Sequence, residues 1–285
     1  MNETEAIHTA ARRYCIEQLQ ERRGRSAALD RELKWQLGQE DGSAAGPDEA
    51  QEEILLLAAG ALTLEAILDQ VERLTPEDFP SLDEARARLA EAGRTGQNWF
   101  TAARLEGGQA EAIDQERQDF EKFVRQVGED ALRGVEPLPY RRVLTEDEGE
   151  GILSELRARW GVQGMRWYPL TGAPRPPHTE VFHAETFQRE ASKLVRALLG
   201  DRGTTRVWEL RESGVHYEMD TTLLDPVYTG LEGLWSSGGF EWLIYASHEG
   251  TVTVGGEGLL PGLRSAWPEW RRHVFHGSER VTLPD

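Results

Sequence analysis

Two prolines near the middle of the 285-residue chain, Pro137 and Pro139, separate two stretches of different composition. The stretch before them is rich in Ala, Leu, Glu, Gln and Arg, which favour helices, and contains two of the nine tryptophans. The stretch after them is rich in Trp, Tyr, Val and Thr with frequent Gly, which is typical of strands and turns. Because proline stops a helix, the sequence predicts an α+β fold in two domains. We expect an acidic all-α helical bundle over 1–136 and, over 140–285, an α+β domain with a mostly antiparallel sheet and a Trp-rich core.

Capping residues, glycines and apolar spacing divide the first domain into helices. The predicted helices cover 4–23, 29–37, 48–73, 81–92, 96–105 and 109–132, and a loop covers 42–46. Ser81 and Glu84 have the spacing of a capping box, and Gly93 is expected to end that helix. In the last helix, apolar residues recur at helical spacing and predict its buried face: Ile113, Phe120, Phe123, Val124 and Val127.

The second domain alternates helices with strands. Thr145 and Glu148 form another capping box, which predicts a helix to Trp160 that ends at Gly161. Further helices are predicted over 185–199 and 259–275, strands over 165–170 and 179–183, and a proline-rich loop at Pro174, Pro176 and Pro177. Two predicted hairpins pair 205–212 with 215–220 and 240–247 with 251–254.

The charge balance of the chain bears on its partners. Acidic side chains outnumber basic ones by 50 to 32, which gives a formal net charge of −18. Residues 1–139 hold 29 of the acidic and 16 of the basic side chains, a net charge of −13. Proteins that bind nucleic acid carry a basic patch, whereas acidic surfaces speed up association with basic proteins. The excess of acidic side chains therefore argues against a nucleic-acid partner and favours a basic protein as the partner.

The single cysteine, Cys15, excludes an intramolecular disulfide and a cysteine-cluster metal site. A free thiol and a polar N-terminus without an apolar signal segment predict a cytoplasmic protein.

The longest apolar run, Ile54–Leu64, is shorter than the ~20 residues that cross a bilayer, so no membrane partner is expected. That run is predicted to be either a central helix or a surface for self-association. The usual zinc, phosphate-loop and nucleophile-elbow motifs are missing from the sequence, so we expect no cofactor and no metal.

The hairpin over 205–220 carries the best-defined group of polar residues. A two-residue turn at Ser213 and Gly214 pairs Trp208 with Met219. Strand alternation then places five polar side chains on one face: Glu209, Arg211, His216, Glu218 and Asp220. Three carboxylates and a histidine suit a solvated sheet face, an acidic surface for a partner, or a site for a cation or for acid–base chemistry.

Two further residues near the end of the chain are candidates. Ser247, His248 and Glu249 are residue types of a catalytic triad, but neighbours on a strand point to opposite faces and cannot form that relay. His248 remains a candidate contributor to an acid–base site. Trp235 lies in a glycine-rich stretch, where it is either an exposed anchor for a partner or a side chain that folds back on the core.

Residues 240–256 read FEWLIYASHEGTVTVGG and are followed by a predicted helix that contains tryptophan. This stretch resembles the closing hairpin and helix of small α+β immunity-type proteins of bacterial toxin systems. Uncharacterised proteins of high-GC bacteria have a similar two-part layout. The resemblance covers the second half of the chain. It implies a binding protein that covers the active surface of a toxin and has no catalytic residues.

Together these patterns predict a non-catalytic, cytoplasmic protein-binding module that neutralises or escorts a basic partner. The predicted binding residues are Trp235, Glu209, Arg211, Glu218 and Asp220. The alternative is a metal-dependent or acid–base enzyme that uses the polar face of the 205–220 hairpin. Its predicted catalytic residues are Glu209, His216, Glu218, Asp220 and His248.

Overall fold

The computed structural model describes residues 1–37, 47–103, 105–167, 176 and 178–276. The chain divides into two compact units, Met1–Leu138 and Pro139–Asp285. Helices form the first unit, and the second contains a seven-stranded sheet in which every neighbouring pair is antiparallel. The predicted α+β fold class is therefore confirmed.

Some predicted features lie outside the described residues. They are the loop at 42–46, Pro174 and Pro177, and the last three positions of the strand predicted over 165–170. Of the first three positions of that strand, Met165 lies in a turn, Arg166 forms an isolated bridge with Gln163, and Trp167 has no regular secondary structure.

The first unit contains five α-helices within its described residues. They are α1 (Glu3–Leu37), α2 (Pro47–Val71), α3 (Leu82–Thr95), α4 (Gly108–Gln126) and α5 (Glu129–Arg133). Helix α1 is continuous, although the sequence predicts two separate pieces. Gly24, at the expected break, costs only about 1 kcal/mol in a helix, and Arg25 holds this part of α1 to Glu53 of α2 at 2.8 Å.

The core of the first unit lies between α1, α2, α3 and α4. Its fully buried side chains include Ile7, Cys15, Ile67, Leu89 and Phe120. Three of the apolar residues predicted to be buried in α4 are buried, and the other two pack against this core. The spacing of apolar residues in this helix therefore predicts its inner face correctly.

Gly93 lies buried inside α3 and does not end it, contrary to the prediction. An added Cβ at this position would lie 2.5 Å from Cδ1 of Phe120, so the glycine allows α4 to approach closely. The helix continues to Thr95. The residues that follow form turns instead of the helix predicted over 96–105, because Asn98 Oδ1 accepts hydrogen bonds from the N–H groups of Phe100 and Thr101.

The second unit mixes helices and strands along the chain. Its elements are β1 (Arg141–Val143), α6 (Glu146–Trp160), β2 (Thr179–His183), α7 (Ala184–Thr186), α8 (Ser192–Asp201), β3 (Arg206–Arg211), β4 (Tyr217–Asp220), β5 (Gly233–Ser236), β6 (Leu243–Ser247), β7 (Thr251–Gly255) and α9 (Leu259–Ala266). The strand order in the sheet is β1-β4-β3-β5-β6-β7-β2. A π-helical turn joins α7 to α8. Helix α9 is shorter than predicted because Pro268 disfavours helical geometry at Trp267.

The sheet of the second unit is covered on both faces. On one face, α6 packs on Leu243 and Tyr245 of β6. On the other face, α8 and α9 pack on Ile244 and Ala246 of the same strand. Because successive side chains of a strand alternate, β6 is buried at all five positions.

Candidate functional site

The hairpin of β3 and β4 forms in a register one residue away from the predicted one. Trp208 lies opposite Glu218, whereas the sequence predicts that it lies opposite Met219. The two strands are joined by five residues, 212–216, so the predicted two-residue turn does not form. A shift of one residue moves the side chains of one strand to the other face relative to its neighbour. The predicted single polar face is therefore divided between the two faces of the sheet.

Glu209 and Arg211 lie on the face that α8 and α9 cover. The carboxylate of Glu209 accepts a hydrogen bond from Arg211 Nε at 3.0 Å, and the guanidinium of Arg211 lies 4.7 Å from the ring centre of Tyr217. Glu209 is thus neutralised by its neighbour on the same strand. It does not share a face with Glu218.

Glu218 lies on the opposite face, in an ion-pair network with α6. Its Oε2 accepts from Arg142 Nε at 2.9 Å, and the same guanidinium donates twice to Glu148 at 2.8 Å. The hydrogen bonds from Arg142, followed by the backbone N–H of Thr145, lower the pKa of Glu148 to about 2. Glu148 also completes the predicted capping box of α6 with Thr145. The network ties β1, β4 and α6 together.

Asp220 and His216 each have separate contacts. The backbone N–H of Thr222 is the main cause of the lowered pKa of Asp220, and Arg206 lies 3.1 Å from the carboxylate. His216 is half-buried against Gly149 of α6, where an added Cβ would lie 2.6 Å from its ring. Its Nδ1 accepts from the N–H of Arg211, and burial lowers its pKa. The predicted catalytic residues of the hairpin therefore form no common site.

Trp235 is buried and is not the exposed anchor of the binding prediction. It belongs to β5, which the sequence analysis does not predict, and only 3% of its surface is exposed. Its ring lies over Gly233, where an added Cβ would be 2.4 Å from the indole. Trp235 instead matches the other expectation, that its side chain packs on the core.

His248 contacts a residue that the sequence analysis does not single out. Its Nδ1 donates to Oε1 of Glu232 at 2.5 Å, and the carboxylate of Glu232 is 1% exposed. The other oxygen of Glu232 lies 3.6 Å from Arg166 Nε, an ion-pair distance that is too long for a hydrogen bond. Glu232 precedes β5 and His248 follows β6. Only the antiparallel pairing of these strands brings them together, so no local sequence signal marks the pair.

The His248–Glu232 pair orients an imidazole beside a buried carboxylate. The second ring nitrogen, Nε2, lies 3.5 Å from Oε1 of Glu249. Such a carboxylate fixes the ring orientation and the tautomer of histidine. Within the described ranges, no group of three His, Cys, Asp or Glu side chains is placed to hold a metal ion.

The helical unit carries exposed carboxylates along the seam between α1 and α4. Glu17 and Glu21 of α1 are exposed, one and two helical turns beyond Tyr14. Tyr14 stacks on Phe123 of α4, and its pKa is raised to about 12 by burial and then by the charge of Asp119. We call Glu17, Glu21 and Asp119 the α1–α4 acidic surface. The raised pKa of Tyr14 reflects its burial first and then the nearby charges of Asp119 and Glu116, which Arg22 opposes.

A surface cleft of about 360 Å³ lies between α3 and α4, and the three arginines that line it all donate hydrogen bonds within the unit. Arg86 donates to the carbonyl groups of Val124 and Val127 at 2.7 Å, where α4 ends. Arg94 and Arg125 both donate to Glu121. These arginines stabilise the packing of α3 on α4.

The apolar run predicted as a central helix is part of α2. Leu57 and Leu64 are buried, while Leu55 is 50% exposed. The stretch Glu49–Val71 is long and apolar enough to cross a membrane by length and composition, and 56% of its most apolar window is buried. The core helix of a folded helical bundle can be equally long and equally apolar.

Comparison of the chain with protein-family models, curated proteins and solved structures gives no match.

Proposed function

We propose that this protein is a non-catalytic, cytoplasmic protein-binding module whose partner is a basic protein. The observation that carries the proposal is the α1–α4 acidic surface on a unit with a net charge of −13. Negative potential of this kind attracts a positively charged protein over about one Debye length, roughly 10 Å at 0.1 M salt.

The charges of the second unit support this assignment of the binding surface to the helical unit. The hairpin carboxylates Glu209, Glu218 and Asp220 each pair with an arginine. A partner would have to displace these arginines before it could use the carboxylates. Glu17 and Glu21 are exposed, and a partner can approach them directly.

A neutralising role for the module rests on the resemblance of residues 240–256 to immunity-type proteins of toxin systems. The corresponding segment forms the hairpin of β6 and β7, followed by α9. An immunity-type function and a basic partner are compatible, because charge complementarity accelerates the encounter of two proteins.

The proposal is tested by affinity capture from the host lysate at low and at raised salt, read by mass spectrometry. We expect a stoichiometric basic protein that is lost at raised salt. The variant Glu17→Gln/Glu21→Gln should weaken its binding about fivefold at low salt, because exposed charges at an interface contribute about 0.2–1 kcal/mol each.

The matched control is Glu77→Gln/Asp78→Asn, which removes two exposed carboxylates from a 3₁₀ turn of the same unit. It changes the net charge equally and should leave binding within about twofold, since both carboxylates belong to the connection between α2 and α3 and neither lies on α1 or α4. Equal weakening by both variants would assign the effect to net charge and reject the α1–α4 acidic surface.

A further inference from the structure

We propose that His248 and Glu249 bind a divalent transition-metal ion such as Zn²⁺, and that the buried Glu232 orients the imidazole for this task. Glu232 immediately precedes β5, and His248 and Glu249 follow β6, which pairs antiparallel with β5. We call these three residues the β5–β6 histidine cluster. The usual zinc motifs place their ligands close together in the sequence, whereas Glu232 and His248 meet only through the pairing of the strands.

The hydrogen bond to Glu232 determines which nitrogen of His248 is available to a metal ion. Nδ1 lies 2.5 Å from Oε1 of Glu232 and donates its proton to this carboxylate. In a neutral imidazole the other nitrogen, Nε2, then carries a lone pair and acts as an acceptor. Histidines that bind metal ions almost always have this arrangement, in which one nitrogen donates to a carboxylate, a carbonyl group or water and the other faces the ion.

Nε2 of His248 faces a second acceptor, the carboxylate of Glu249. The distance from Nε2 to Oε1 of Glu249 is 3.5 Å. A hydrogen bond between these atoms would measure about 2.7–3.2 Å. Two ligand atoms that each lie about 2.1 Å from one tetrahedral zinc ion are roughly 3.4 Å apart. The observed separation therefore fits a shared metal ion better than it fits a hydrogen bond.

The position between Nε2 and Glu249 is open to solvent and lies in a negative potential. The side chains of His248 and Glu249 are 49% and 63% exposed, whereas the side chain of Glu232 is 1% exposed. Arg166 lies 3.6 Å from the carboxylates of both Glu212 and Glu232. Three carboxylates therefore surround this position together with one guanidinium, and the excess of negative charge attracts a cation.

A metal ion at Nε2 also stabilises the buried carboxylate of Glu232. The second oxygen of Glu232, Oε2, has no hydrogen-bond partner within the described residues, and it lies 3.6 Å from Arg166 Nε. A bound ion withdraws electron density from the imidazole ring, so Nδ1–H becomes a stronger donor to Oε1. Metal binding and the hydrogen bond between His248 and Glu232 therefore strengthen each other.

The ligand atoms select the class of ion. One imidazole and one carboxylate suit Zn²⁺ and related transition-metal ions, whereas Mg²⁺ and Ca²⁺ prefer oxygen ligands throughout. Because the cluster supplies two ligands, the other coordination positions are open to water or to donor groups of another molecule. The site is thus an open one, unlike the closed four-ligand sites that hold structural zinc.

Isothermal titration calorimetry of the full chain, first freed of metal by a chelator, with zinc chloride tests the proposal. We expect one Zn²⁺ ion per chain and no comparable binding of magnesium chloride. His248→Ala should abolish the binding, and Glu249→Gln should weaken it at least about tenfold. Glu232→Gln should weaken it about 10–100-fold, the usual effect of losing a carboxylate that orients a ligand histidine. The matched control His276→Gln removes an exposed histidine outside the cluster and should leave the affinity unchanged.

NMR of the histidine ring nitrogens separates ligation from an effect on folding. Zinc should shift the Nε2 resonance of His248 while Nδ1 keeps its proton, and the rings of the other histidines should not respond. Glu249→Gln keeps the test decisive if His248→Ala perturbs folding, because the carboxylate of Glu249 is exposed. No binding at about 1 mM zinc would overturn the proposal, and so would equal binding of magnesium. Zinc affinity that survives both Glu249→Gln and Glu232→Gln would also overturn it.

Discussion

His8 lies in the core of the helical unit, where its Nε2 donates to the carbonyl oxygen of Val71 at 2.9 Å. Burial lowers the pKa of His8 to about 4, and the hydrogen bond to Val71 opposes this effect only in part. The imidazole is therefore neutral in the folded protein at pH values where it is already protonated in the unfolded chain. The unfolded state takes up this proton first, so acid favours unfolding.

We expect the contribution of His8 to stability to be complete above pH 6.5 and to fall as the pH drops from 6.5 to about 4. The loss approaches about 3 kcal/mol over this window, at 1.36 kcal/mol for each pH unit. Urea unfolding followed by circular dichroism at pH 7.5, 6 and 5 measures it. His8→Gln should show a shallower dependence on pH, and an equal slope in both proteins would contradict the assignment to His8.

The buried carboxylate of Glu232 makes the second unit sensitive to a single substitution. His248→Ala removes the donor to Oε1 of Glu232 and should destabilise the protein by about 1–3 kcal/mol, the cost of a buried acceptor that loses its hydrogen bond. Glu249→Ala removes only an exposed carboxylate 3.5 Å from the same ring. It should change the free energy of unfolding by less than about 0.5 kcal/mol. Similar losses in the two variants would show that Glu232 does not depend on His248.

At the scale of helices and strands, local signals predict ends and faces but not the pairing of elements. Helix α6 begins at the capping box of Thr145 and Glu148 and ends at Gly161, which has a left-handed backbone conformation. Both signals depend only on residues close together in the sequence. The register of β3 on β4 depends on a five-residue connection and on which side chains meet α6, information that neither strand contains. The predicted polar face failed for this reason, because a shift of one residue is enough to divide it.

Two glycines in helices give a matched test of close packing. Gly93→Ala places a methyl group 2.5 Å from the ring of Phe120 and should destabilise the helical unit by about 1–3 kcal/mol through overpacking. At Gly24 of α1 an added Cβ meets nothing within 4 Å. Gly24→Ala should therefore stabilise the unit by about 0.5–1 kcal/mol, the usual gain of alanine over glycine in a helix. Urea unfolding compares the two, and a gain at both positions would contradict the close approach of α3 and α4.

At the scale of the whole molecule, composition predicts the fold class well, but it does not show which charged side chains are exposed. Helix formers before Pro137 and strand formers after Pro139 are enough to anticipate helices followed by an antiparallel sheet. Net charge predicts an acidic protein, but it does not reveal which carboxylates arginine neutralises. Glu218 and Glu17 look alike in the sequence, yet only Glu218 is held by Arg142.

The single thiol of the chain is fully buried in the helical core. Cys15 is 0% exposed, and burial raises its pKa well above the usual range, so the reactive thiolate is scarce at neutral pH. In the variant Glu21→Cys, the exposed new thiol would thus react selectively with a maleimide dye, while the buried thiol of Cys15 would remain unreacted. The fold therefore permits site-specific fluorescent labelling within the α1–α4 acidic surface, in place of one of its carboxylates, without a cysteine-free background.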